Sequence, residues 1–172
     1  MLLNQLWPGN PVNRKYRCLD ADLAREQFVE QPAGACLAVT RTAWASVGGM
    51  DPQFYPVWFE DVDLCARLLR TGGRIAYCPA ARFHHSGAHS VGKLSFQDKQ
   101  TFWYTNMLRY AQKHLSRGKV TALRVGIVAG MALRSLATLL GGKPRGVSVG
   151  AAINSYLGVA RMAISSAART QA

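Results

Sequence analysis

A chain of 172 residues that is 49% hydrophobic is long and apolar enough to bury a core as one domain, or a domain with an appendage, which excludes a disordered tail. Its formal charge of +12 is unevenly placed: residues 1–98 hold ten Lys/Arg and all nine acidic residues, whereas residues 99–172 hold eleven Lys/Arg and no acid. The C-terminal part therefore suits an anionic partner, but it shows no nucleic-acid reading motif or repeated basic-aromatic pattern, so no nucleic acid is expected there.

The opening "MLLNQLWPGNPVNRKYR" has an apolar run too short, and too soon broken by Pro8 and Gly9, to read as a signal peptide. Residues 1–33 read as an irregular lead-in with one short helix near 22–28. "GACLAVT", residues 34–40, has the pattern of a buried strand; "RTAWASVGG" follows as a short helix stopped by Gly48 and Gly49, and "MDPQF" as a turn. Next comes "FYPVWFEDVDLCARLLRTGG". From Asp61 to Leu69, Val62, Leu64, Cys65, Leu68 and Leu69 fit one side of a helix, Asp63, Arg67 and Arg70 fit the other, and Gly72 and Gly73 end it. "RIAYCP" and "ARFHH" read as two short extended segments, and "SGAHSVGK" as a loop. A long helix is expected from Ser95, capped with Asp98 three residues on, with Trp103, Met107, Tyr110 and His114 on one face until Gly118. A second helical run covers 119–141, interrupted by Arg124 and Arg134, and a weaker one covers about 147–168. The four cysteines contain no C-x-x-C pair and three lie in apolar runs, so they read as reduced, packed thiols in a cytoplasmic setting.

Two clusters carry candidate chemistry. Glu60, Asp61 and Asp63 are a third of all the acidic residues within four positions. At a helix start, free N–H groups and the dipole stabilise carboxylates, so the plain reading is capping plus an ion pair from Asp63 to Arg67. Against it for Asp61 stands the preceding "FYPVWF", which would hold this helix start against aromatic side chains, where a carboxylate can act as a general base. His84, His85 and His89 sit within six residues, and imidazole is a common metal ligand or proton carrier. A structural zinc is disfavoured because no cysteine at standard spacing completes four ligands, which leaves loop histidines as the plain alternative.

The ordered series of strand, "VGGMD", "FEDVDLC-R", "G-RI-Y-P" and "HH-G--S", closing with Lys113 and His114, resembles the acceptor-side half of a family 2 glycosyltransferase of the rhamnosyltransferase-like kind. The resemblance runs from about residue 34 to 114 and implies an α/β fold, part of a GT-A domain, followed by a helical appendage. The organisation expected is a lead-in at 1–33, the acceptor-side half of the catalytic domain at 34–118 and a basic, apolar helical tail at 119–172. In such inverting enzymes the aspartate of the Glu-Asp pair deprotonates an acceptor hydroxyl that attacks a nucleotide sugar; here that implies Asp61 as base, with Glu60 beside it. The resemblance further implies His85, with His84 second, at a divalent cation (Mg2+ or Mn2+) on the donor diphosphate, and Trp58, Phe59, Gly34 and Ala35 at the acceptor sugar. The implied partners are a nucleotide-sugar donor and a glycan or lipid-linked acceptor, with peripheral contact at the inner face of the cell membrane through 119–141 and with Arg124, Arg134, Lys143 and Arg145 at the headgroups. One departure stands out. The nucleotide-binding half with its Asp-x-Asp motif has no counterpart here, since only 33 residues precede Gly34 and no strand leads into Asp20 and Asp22. The alternative is thus an inactive fragment that serves as a membrane- or partner-binding module.

Overall fold

The computed structural model of the chain describes residues 9–87 and 91–165. In chain order these form α1 (Pro11–Tyr16), β1 (Gln27–Phe28), α2 (Arg41–Ser46), a 3-10 turn (Pro52–Phe54), α3 (Glu60–Arg70), β2 (Ala76–Tyr77), α4 (Phe96–His114), α5 (Arg117–Leu139) and α6 (Val149–Ser165). The mixture of helix and strand expected for an α/β chain is present, but the sheet consists of two short antiparallel strands, with Gln27 opposite Tyr77 and Phe28 opposite Ala76.

The lead-in differs from expectation. Asn10 caps α1 by accepting from the Asn13 N–H, Pro11 supplies a preset first-turn φ, and residues 27–28 are a strand where a helix near 22–28 was expected. Residues 34–40 form a turn and an irregular segment in place of the predicted buried strand. A strand needs a neighbour to take its N–H and C=O groups, and among the described residues none lies alongside this one. The second predicted extended segment, at 81–85, is also irregular. Of the cysteines only Cys65 is buried; Cys18, Cys36 and Cys78 are exposed free thiols.

The 3.6-residue pattern proves more reliable. Thr40 caps α2, and Gly48 and Gly49, both with positive φ, turn the chain away after its last residue, Ser46. Ser95 caps α4 by accepting from the Asp98 N–H at 3.1 Å. That helix stops at His114, because Leu115 is extended and Ser116 starts α5, so Gly118 lies in the first turn of the next helix and does not end this one. α4, α5 and α6 pack as a bundle around Tyr104, Leu108, Ile127, Met131, Tyr156 and Val159. Arg124 and Arg134, expected at the outer surface, are half-buried on the packed side of α5, and Arg134 Nη1 donates to Gln100 Oε1 of α4 at 3.4 Å. They sit on the same side as Val120, Ile127, Met131 and Thr138, which are buried.

α3 is docked onto the C-terminal end of α4 by charge. Asp63 was expected on the polar side, yet its side chain is fully buried. It accepts from Arg67 Nε at 2.7 Å and pairs with Lys113 Nζ at 2.9 Å and His114 Nε2 at 2.7 Å. Arg67 reaches on to the carbonyls of Val47 (2.5 Å) and Gly49 (2.7 Å), and Lys113 to Asp51 Oδ2 (2.7 Å), so one carboxylate ties α3, α4 and the loop after α2 together. Burial alone would raise the Asp63 carboxyl, but the hydrogen bonds from Lys113, His114 and Arg67 outweigh it and hold it below the usual carboxylate range. A carboxyl depressed in the folded state stabilises the fold above its unfolded pKa, and that stabilisation is lost as pH falls through the lower folded value. Asp63→Asn should therefore cost about 3 kcal/mol at neutral pH by removing the one buried negative charge that Arg67, Lys113 and His114 share. Urea unfolding at a series of pH values checks this: the wild type should lose stability below about pH 4, and the variant should show less of that loss.

Candidate functional site

The segment before α3 is built from side chains that fix an unfavourable backbone. Trp58 and Phe59 both adopt left-handed φ, +70° and +72°, a conformation costing bulky residues on the order of 1–3 kcal/mol each. Asn106, buried in the middle of α4, offsets this: its Nδ2 donates to the carbonyls of Phe54 (2.7 Å), Val57 (2.8 Å) and Trp58 (3.1 Å). Arg109 Nη1 donates to Asn106 Oδ1 (2.9 Å) and to the Gln53 carbonyl (2.6 Å), which sets the orientation of the amide. The rings add to the clamp. Trp58 stands edge-on to Trp103 at 5.5 Å, and Phe59 contacts Trp103 at 5.3 Å and Tyr110 at 5.8 Å. Both aromatics are half-buried against α4.

The left-handed turn at Phe59 delivers the chain into α3 with no side-chain cap, so its acidic first turn serves the free N–H groups there. Asp61 Oδ1 accepts from the Val62 N–H at 2.8 Å, while Oδ2 accepts from the Gly34 N–H at 2.8 Å and from Gln31 Nε2 at 3.4 Å. A Cβ on Gly34 would lie 2.8 Å from Asp61 Oδ2 and 2.9 Å from Asp61 Cβ, so the approach requires glycine. Three of about four lone-pair directions of the carboxylate are used, which leaves its orientation fixed and one direction open to take a proton.

Glu60 is placed differently. Burial, with the neighbouring Asp61 charge adding to it, raises its carboxyl above the usual range, and its Oε2 is buried with no hydrogen-bond partner among the described residues. Burial also pushes the Cys65 thiol up to about 11, which makes it a packing group.

Of the residues singled out in the sequence, Gly34 and Asp61 are in contact, Ala35 lies exposed in the turn beside them, and Trp58 and Phe59 hold the start of α3 against α4. His84 and His85 are exposed on the irregular segment after β2, and His89 lies outside the described residues. Among the described residues no group of three or more His, Cys, Asp or Glu side chains converges where a metal could bind, so these imidazoles do not by themselves form a cation cage. Sequence reasoning missed Gln31 and Asn106. The available signal for the latter was an asparagine at position 106 within the apolar face marked by Trp103, Met107 and Tyr110.

Comparison with known proteins agrees with this arrangement of motifs. The chain is 38% identical over 92 residues to the N-acetylglucosaminyl-diphospho-decaprenol L-rhamnosyltransferase of Mycobacterium tuberculosis, a match covering 54% of this chain and 29% of that protein. It is 32% identical over 99 residues to the rhamnosyltransferase WbbL of Escherichia coli, covering 58% of this chain and 35% of that one. The matches thus span about a third of the length of these relatives. No solved structure gives a significant match. The profile described as "Glycosyltransferase like family 2" matches residues 13–106, which takes in the end of α1, β1, the Gly34 and Asp61 contact and α4 as far as Asn106, and on this match the chain belongs to the family 2 glycosyltransferases.

Proposed function

We propose that this chain supplies the acceptor-side part of an inverting GT-A glycosyltransferase that transfers a sugar, rhamnose by analogy with its relatives, from a nucleotide sugar to a glycan or lipid-linked acceptor. The observation that carries the reading is the Asp61 carboxylate, anchored by the Gly34 N–H at the start of α3 with one lone-pair direction free. A sugar hydroxyl is a poor nucleophile until a positioned base removes its proton, and an immobilised carboxylate offers that base at little entropic cost. The acceptor O–H proton passes to Asp61, the oxygen bonds to the anomeric carbon from the face opposite the diphosphate, and the nucleoside diphosphate leaves with the electron pair of the broken bond. The exposed turn at Gly34 and Ala35 and the outer faces of Trp58 and Phe59 border the acceptor. Mg2+ or Mn2+ at the donor diphosphate would draw on His85 and His84 together with ligands from a donor-binding half; the proton transfer runs through Asp61 alone.

A chimera tests the assignment: the matched stretch of this chain replaces its counterpart in the M. tuberculosis relative, and transfer to that protein's own acceptor is measured. The unmodified chimera should transfer sugar, and Asp61→Asn should lower turnover by about 10²–10⁴-fold with circular dichroism unchanged. Near-full turnover by the Asp61→Asn protein, or a folded but inactive unmodified chimera, would refute the proposal. Gly34→Ala should displace the carboxylate, lowering turnover by on the order of 10²-fold while leaving the melting temperature nearly unchanged, because position 34 is exposed.

A further inference from the structure

One face of α5 has no partner among the described residues. Ala122, Val125, Ala129, Leu133, Leu136 and Leu140 follow one another at spacings of three and four, so they form a single stripe along the helix, and all six are exposed; Val125 is 64%, Leu133 52%, Leu136 54% and Leu140 79% accessible. The stripe is about 27 Å long at 1.5 Å per residue and contains no side chain able to hydrogen-bond. Its two ends are cationic: Arg117 and Lys119 precede it, Lys143 and Arg145 follow it, and all four are exposed. The opposite side of α5 packs on α4 and α6 and carries Arg124 and Arg134.

An aliphatic stripe this long left exposed on the chain marks a contact. The charges select what covers it. Residues 99–172 contain eleven Lys/Arg and no acid, so a second copy laid on the stripe, parallel or antiparallel, would set cations against cations at both ends. The partner must bring negative charge flanking an apolar layer, and a stripe with no directional polar group suits a fluid surface better than a protein epitope. The helix is long and apolar enough to cross a bilayer by length and composition, but its other side is committed to the bundle, which keeps it in the plane of the surface.

We infer that the outer face of α5 docks in-plane on an anionic lipid bilayer, with the stripe from Ala122 to Leu140 in the acyl boundary and Arg117, Lys119, Lys143 and Arg145 on the headgroups. This surface stands independently of the catalytic reading, since it uses neither Asp61 nor Gly34.

Flotation of the full chain with vesicles tests it. The chain should float with phosphatidylglycerol-rich vesicles, remain unbound with pure phosphatidylcholine, and be released by high salt. Each cation removed should weaken binding about fivefold, so Lys143→Gln with Arg145→Gln should weaken it roughly 25-fold. Leu133→Glu with Leu136→Glu should abolish binding. Because both leucines are already exposed, helicity should be retained; should it fall, Leu133→Trp gives a second readout, an added fluorescence quenched by brominated lipids. Equal binding to both vesicle types, binding resistant to salt, no binding to either, or an added tryptophan that brominated lipids do not quench would each overturn the inference.

Discussion

A single buried carboxylate organises the N-terminal part of this molecule. Asp63 sits at the end of the first turn of α3 with its side chain inaccessible, and its two oxygens are shared by Arg67, Lys113 and His114. A charge in that position is tolerated only because three donors surround it, and each donor brings another element with it. Arg67 brings the carbonyls of Val47 and Gly49, Lys113 brings Asp51, and His114 brings the end of α4. α3 therefore cannot rotate about its own axis without breaking this network, and the acidic residues of its first turn inherit that orientation.

The candidate base depends on this frame and on a second clamp. Asn106 and the rings of Trp103 and Tyr110 hold two consecutive bulky residues, Trp58 and Phe59, in left-handed conformation immediately before α3. Strain of this kind persists only where surrounding contacts over-determine it. Its product is a helix start turned toward residues 31–34, so that the Gly34 N–H meets Asp61. The neighbouring carboxylates thus have separate tasks: Asp63 carries structure, Asp61 faces the turn at Gly34, and Glu60 is partly buried with one oxygen lacking a partner among the described residues. α4 is the common support for all of them.

Much of this was legible in the sequence where the signal was local. The helices α2, α3, α4 and α5 follow from periodicity and caps, as with Thr40 and Ser95, and the pair formed by Asp63 and Arg67 follows from i, i+4 spacing. What failed was non-local. A strand at residues 34–40 was expected from its apolar run, but a strand exists only with a neighbour, and its run alone says nothing about one. The pairing of residues 27–28 with 76–77 joins segments about fifty positions apart with no pattern to announce it. The burial of Asp63 depends on Lys113 and His114, which are equally distant. Trp58 and Phe59 read as sugar-facing aromatics, whereas their rings also carry the strained turn, a role visible only once α4 lies beside them. The positions of Arg124 and Arg134 were obscured for a related reason: a hydropathy run counts charges without regard to which side of the helix they occupy, and both lie on the packed side.

The central claim is that α4, through Asn106, holds the turn that presents Asp61. Backbone hydrogen exchange of the full chain with Asn106→Ala measures this directly. Loss of the amide should raise exchange across residues 54–62, where the carbonyls it serves and the left-handed turn lie, while α5 and α6 stay as protected as in the wild type. Unchanged protection at 54–62, or a uniform rise throughout the bundle, would contradict the account.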